Sequence, residues 1–209
     1  MIVKVCGVRA AGIAEAAIEE GADWIGLVFE KRSPRYASDA EASAVRAAAG
    51  SRAQVVGVFV EPSVEECDEA AARYRLDAVQ VHGDVAPPFA ALTSVPVIRG
   101  INVRGRDDAF TLQWWPDCLV LIDAPPVELP GGTGRRLPVD VAAEVALHRP
   151  IILAGGLGPD DVASAIASVH PRGVDASSRL EVAPGVKDEQ LVRAFVRNAR
   201  RAFAELAAA

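Results

Sequence analysis

An alternation of strand-like and helix-like segments from one end of the sequence to the other limits its possible folds most. Short runs rich in Val, Ile and Leu lie at residues 2–6, 24–29, 54–60, 78–81, 96–101, 118–123, 150–154 and 173–176. Each reads as a strand from its β-branched content and its turn-forming flanks. Ala- and Glu-rich stretches between them predict helices near 12–20, 38–49, 63–74, 87–92, 107–114, 139–147, 159–169 and from about 187 onward. Ser38 with Glu41, and Ser63 with Glu66, stand at capping-box spacing. Parallel strands are joined by right-handed crossovers. Eight such units with no linker predict a single-domain (β/α)8 TIM barrel over residues 1–209. That length is near the short end for the fold, so decorations should be few. The rival, an open doubly wound sheet, usually carries a glycine fingerprint after its first strand. Cys6-Gly7-Val8-Arg9 is a poor match to it.

Composition narrows what such a barrel does. Hydrophobic residues make up 51% and aromatic residues 5%, so the core is built from Val, Ile, Leu and Ala, as strands buried on both faces require. A net charge of −6 with no basic block disfavours nucleic acid as a partner. Cys6, Cys67 and Cys118 are far apart and odd in number, which fits neither a disulfide framework nor a zinc pattern. A reduced, cytoplasmic setting is therefore the expectation. No apolar run approaches the roughly 20 residues of a membrane helix, and no n-region and h-region stand before the first strand, so no membrane partner is expected. The lysines are Lys4, Lys31 and Lys187 alone. Schiff-base chemistry needs a lysine. Lys4 is expected to be buried early in the first strand and the other two to lie in loops, so none is well placed at a strand end, which disfavours that chemistry.

Barrel enzymes carry their sites at the C-terminal ends of the strands. Those ends offer Cys6, Arg35 in the second loop, His82, Asp123, Gly155-Gly156, Asp175 and Ser177-Ser178. Cys6 and Asp123 are the candidate proton carriers across one pocket. A lone strand cysteine also serves as a small core residue. An aspartate ending an apolar strand needs a partner or solvent, so a helix cap or an ion pair in its own loop is the other reading. Gly155-Gly156 after the seventh strand and Ser177-Ser178 after the eighth stand where barrels hold phosphate on backbone N–H groups. As separate dipeptides they read equally as a tight turn and a short cap. Gly132 and Gly134 of the long loop after Asp123 complete the phosphate-binding set, and Arg35, His82 and Asp175 are the substrate-contact candidates. For Arg35 a solvated loop residue, and for His82 a satisfied loop histidine, remain open. That loop, 124–137, has the length and glycines of a lid, and weak order without ligand is expected of it. His148, His170, Cys67 and Cys118 read as lying at helix or strand starts, on the wrong side of the barrel, and receive no role.

The ordered set Cys6-Gly7, Val79-Gln80-Val81-His82-Gly83, Leu121-Ile122-Asp123, Gly131-Gly132-Thr133-Gly134, Leu153-Ala154-Gly155-Gly156-Leu157, Val174-Asp175-Ala176-Ser177-Ser178 and Pro184-Gly185-Val186-Lys187-Asp188 resembles that of the phosphoribosylanthranilate isomerases. The resemblance spans nearly the whole chain. It implies an Amadori rearrangement of N-(5-phosphoribosyl)anthranilate in tryptophan biosynthesis. Cys6 matches the family's general base, Asp123 its general acid, and Arg35 its loop arginine near the anthranilate carboxylate. It implies no metal or cofactor, because the substrate's own nitrogen is the electron sink. The partner implied is a small phosphorylated molecule, and the sequence leaves monomer and homodimer open. A paralogous isomerase of another aminoaldose, and a non-catalytic phosphate-ligand barrel, are the alternatives.

A free thiol titrates near 8.5, so only a few per cent is thiolate at pH 7. Reaching the anion costs about 2 kcal/mol, against roughly 3–6 kcal/mol gained from a placed general base. Asp123 must hold a proton when substrate binds, so burial is expected to raise its pKa. Three departures from the family pattern stand out: Arg9 where threonine is common, Leu137-Pro138-Val139 after the glycine loop, and Arg179 where the family has glycine after its two serines. If that glycine has positive φ, Arg179 is strained by roughly 1 kcal/mol or more. Alternatively it adds a cationic contact to the phosphate.

Overall fold

The structure, a computed structural model, describes residues 1–103, 114–123 and 139–208. Eight parallel strands close into a barrel in sequence order: β1 (Ile2–Cys6), β2 (Trp24–Val28), β3 (Gln54–Val60), β4 (Ala78–His82), β5 (Val97–Asn102), β6 (Leu119–Asp123), β7 (Ile151–Leu153) and β8 (Gly173–Ala176). The ring closes where β8 pairs with β1, Val3 beside Val174 and Lys4 beside Asp175. Around it lie α1 (Ala11–Glu19), α2 (Asp39–Ala49), α3 (Val64–Tyr74), α4 (Phe89–Leu92), α5 (Val139–His148), α6 (Val162–Val169) and α7 (Glu189–Ala208). The expected helix near 107–114 falls almost wholly outside the described residues, and the loop of 124–137 wholly outside them.

Local chemistry explains the element boundaries. Ser38 and Ser63 each accept from the backbone N–H three residues on, and Glu41 and Glu66 reach back to the cap N–H, so both capping boxes form. Each such cap is worth about 1 kcal/mol. At the opposite end of the barrel, Asp23 accepts from Val3 N at 2.7 Å and Asp77 from Val55 N at 2.7 Å. A carboxylate just before one strand thus holds the start of the preceding strand. The last helix, α7, buries Val192, Phe195, Val196, Ala199, Ala202 and Phe203 on one stripe, the spacing of a helix face turned to a core. Phe195→Ala there removes a fully buried ring, at about 3–5 kcal/mol.

Two cores result from strand alternation. Residues pointing outward, such as Val3, Val5, Val79, Val81 and Ile122, pack beneath the helices. Residues pointing inward fill the barrel: Val56, Ala78, Ile98, Leu121, Ile152 and Ala154 lower down, and Cys6, Val28 and Val58 toward the C-terminal mouth.

The structure departs from the sequence reading after β8. A 3₁₀ turn, Ser178–Leu180, leads into an antiparallel hairpin of β9 (Glu181–Ala183) and β10 (Val186–Lys187). The last helix therefore begins at Glu189, not near Lys187, and continues to Ala208. Helix α6 begins at Val162, later than the expected 159.

Candidate active site

The mouth of the barrel collects most of the residues named from sequence. Cys6 ends β1 and is 7% exposed, its sulfur packed with Val28 and Val58. Asp123 ends β6 on the inward side shared with Leu121, one pleat nearer the mouth. The two stand three strands apart around the ring.

Interior glycines make room for the larger side chains. A Cβ on Gly26 would lie 2.9 Å from Cys6 Sγ and 3.2 Å from Lys4 Nζ, and one on Gly100 would collide with the His82 ring. The His82 ring therefore lies across the barrel interior, 2.7 Å from the Gln80 amide. Burial, with the positive charges of Lys4 and Arg99 nearby, lowers its pKa to about 4, so the ring is neutral at pH 7.

Asp175 does not reach the mouth as an open substrate contact. Its carboxylate accepts from Lys4 Nζ at 3.1 Å in a pair that solvent hardly reaches. Burial pushes Asp175 up, with Lys4 pulling it back. Burial also pulls Lys4 down, but Asp175 and Cys6 together hold it above the usual lysine value. The Cys6 thiol is raised by burial, opposed by Lys4.

Arg35 is not a solvated loop residue. Its Nε and Nη2 donate to Glu181 Oε1 and Oε2 at 2.8 and 2.7 Å. Lys187 Nζ meets the same carboxylate at 2.5 Å and also donates to the carbonyl and hydroxyl of Ser177, both at 3.3 Å. The sequence puts Lys187 in a loop, not at a barrel strand end; it lies instead in β10, and its amine stands at the mouth with 2% of its side chain exposed. The amine of Lys4, buried in β1, reaches Asp175 and the space beside Cys6. Both engaged ammonium groups argue against a free Schiff-base amine. Burial alone would raise Glu181, but Arg35 and Lys187 hold it below the usual carboxylate range.

The phosphate candidates divide. Gly155 and Gly156 have φ of 92° and 71°, a backbone that side chains rarely adopt, and they form the turn after β7. Ser177 spends its hydroxyl on the Cys6 carbonyl at 3.1 Å, and Ser178 opens the 3₁₀ turn. Gly132 and Gly134 lie outside the described residues. Arg179 has no positive φ, so the expected strain is absent. Its side chain lies over Gly158, with Nη2 3.6 Å from Asp161 Oδ2. Among the described residues no cluster of His, Cys, Asp or Glu could hold a metal ion, and no helix is long and apolar enough to cross a membrane.

Comparison with known proteins decides the family. The family model of N-(5'phosphoribosyl)anthranilate (PRA) isomerase matches residues 3–198. The chain belongs to the PRA isomerase family. Named PRA isomerases from Geobacter metallireducens and Trichlorobacter lovleyi are 38% and 39% identical over 198 and 203 residues, covering 95% and 96% of this chain and 98% of each relative. The PRA isomerase crystal structure from Thermotoga maritima superposes with a TM-score of 0.89 at 32% identity, covering 96% of this chain and all of that one. A PRA isomerase solved with reduced 1-(o-carboxyphenylamino)-1-deoxyribulose 5-phosphate superposes at 0.85 with 30% identity, again over 96% of this chain and all of that one. The chain is thus an isomerase of tryptophan biosynthesis built on a TIM barrel.

Proposed function

We propose that this PRA isomerase converts N-(5-phosphoribosyl)anthranilate to 1-(2-carboxyphenylamino)-1-deoxyribulose 5-phosphate, with Asp123 as general acid and Cys6 as general base. Asp123 gives its proton to the ribose ring oxygen. The C1–O bond breaks and the nitrogen lone pair forms an iminium with C1. That cation acidifies the C2 hydrogen. The Cys6 thiolate takes it, and the electron pair moves into the C1–C2 bond of an enolamine. Loss of the hydroxyl proton at C2 and protonation at C1 give the ketone. Substrate and product are isomers, so no oxidant or reductant enters.

The observation that carries this reading is the inward placement of Cys6 and Asp123 at the C-terminal ends of two strands on different sides of one mouth. Acid and base must reach different atoms of one small sugar, and groups on separate strands can do so without exchanging places. Gly155, Gly156 and the chain entering Ser178 stand where a phosphate would be held on backbone N–H groups. Gly132 and Gly134 are proposed to close over it. Arg35 is the proposed contact for the anthranilate carboxylate, and neutral His82 is a further substrate contact.

The test is turnover of phosphoribosylanthranilate, followed by loss of anthranilate fluorescence, in the wild type and in Cys6→Ala and Asp123→Asn. Rescue of a tryptophan auxotroph lacking this activity is a second readout. Each variant should lose at least about 10²–10⁴-fold in kcat. Cys6→Ala within tenfold of wild type would overturn the base assignment.

A further inference from the structure

The barrel interior holds an ion pair for which the chemistry above has no use. Lys4 precedes Cys6 by two residues on β1, so both side chains point inward. Lys4 is fully buried, with Nζ 3.1 Å from Asp175 Oδ1 on the adjoining strand β8. Burying two charges costs several kcal/mol each, and apolar residues of like volume often serve stability as well or better. A lysine has three N–H donors, so one carboxylate oxygen does not exhaust it. Gly26 shows what else it meets. The point where a Cβ would stand is 2.9 Å from Cys6 Sγ and 3.2 Å from Lys4 Nζ. Sulfur and ammonium thus converge over one glycine, and β2 leaves that space open by having no side chain there.

We propose that Lys4 is a positioning residue for Cys6: anchored by Asp175, its ammonium holds the sulfur toward the mouth and supplies the positive charge against which the thiolate forms. This rests on the reading of Cys6 as the base. The charged and titratable groups facing the sulfur are Lys4 on β1, Asp175 on β8, and Lys187 on β10, which brings Glu181 and Arg35 with it. The neutral ring of His82 on β4 lies near Lys4, and Asp123 stands on β6. Gly26, Val28 and Val58 on β2 and β3 carry no charge. Burial raises the thiol; among the charged neighbours Lys4 has the largest opposing influence, Asp175 raises it and Lys187 lowers it. Lys187 already shares Glu181 with Arg35. Lys4 is therefore the cation that answers to the thiolate.

The test is a thiolate titration by ultraviolet absorbance, taken as the difference between each protein and its Cys6→Ala counterpart, so that Cys67, Cys118 and the tyrosines cancel. In Lys4→Met the midpoint should rise by about one pH unit or more. The alkaline limb of kcat/KM should move up with it, and kcat should fall while KM changes little. Because Lys4→Met strands the Asp175 carboxylate, the double variant Lys4→Gln/Asp175→Asn is titrated as well. It replaces both charges by neutral amides, and a smaller upward shift is expected. A midpoint unchanged from wild type in both variants overturns the proposal. The titration reads the thiol whether or not Cys6 is the base. An active Cys6→Ala sinks the base assignment alone, and an unmoved midpoint with an inactive Cys6→Ala sinks the Lys4 proposal alone.

Discussion

Arg35 and Glu181 meet in a two-pronged pair, Nε to Oε1 at 2.8 Å and Nη2 to Oε2 at 2.7 Å, that ties the loop after β2 to the hairpin after β8. The two residues are 146 positions apart in sequence. The same carboxylate holds Lys187, so one acidic side chain orders two cations at the mouth. If Arg35 takes the substrate carboxylate as proposed, it does so with a guanidinium already oriented by Glu181.

Glu181→Gln should cost about 3 kcal/mol, because it leaves the buried Lys187 ammonium without its anion. Thermal denaturation should register this as a Tm lower by roughly 6–12 °C. The acid response should change too. Glu181 is held below its ordinary value, so its contribution is present above about pH 4.3 and is lost as pH falls through the lowered value. The wild type should show that acid-limb loss, and the glutamine variant should lack it.

The pH profile of kcat/KM reports the free enzyme. Burial raises the Cys6 thiol, so the reactive anion is scarce at neutral pH and grows as pH rises. On the proposed mechanism the thiolate must coexist with a protonated Asp123, so the limb that belongs to the thiol should lie above about pH 8.5, where an ordinary thiol titrates. A thiol limb at or below that pH contradicts this.

Gly26→Ala removes neither Cys6 nor Lys4 yet should damage activity. The added methyl would press on Sγ, on Nζ and, at 3.1 Å, on the Cys6 Cα. The backbone contact cannot swing aside. A fall in kcat of roughly 10²-fold is expected from misplacing the thiol, with about 1–3 kcal/mol lost from stability. Steady-state kinetics beside a melting curve separate the two effects.

Arg179→Gly tests the strain argument directly. Arg179 has ordinary backbone and pairs with Asp161, so glycine there relieves nothing and loosens the turn. Tm should fall slightly or hold. A clear rise in Tm would show strain after all.

Much of the fold was legible in sequence because barrel strands and capped helices are local. The Ser38 and Ser63 caps needed only a residue three places on. Cys6 and Asp123 could be placed at the mouth from sequence because they end β1 and β6 and strand ends define the mouth. The burial of Lys4 follows from its place in the first strand, but its partner does not. Val3 and Val5 alternate with Lys4 and Cys6, and in most sheets the polar side of such a pattern faces water. In a barrel that side faces the interior, and Lys4 finds its partner 171 residues away. The hairpin was missed although Pro184-Gly185 between Val182 and Val186 is a turn signal. What brings Glu181 to Arg35 is the three-dimensional meeting of two loops, which no local spacing encodes.

The Lys4–Asp175 contact joins the first strand to the last, so it lies on the seam of the cylinder. A chain whose final quarter has yet to dock has no such contact, and its Cys6 borders an open edge instead of a cavity. If Lys4 positions Cys6 as proposed, completing the ring and arming the thiol are a single event, and partly folded chains carry the cysteine without those surroundings.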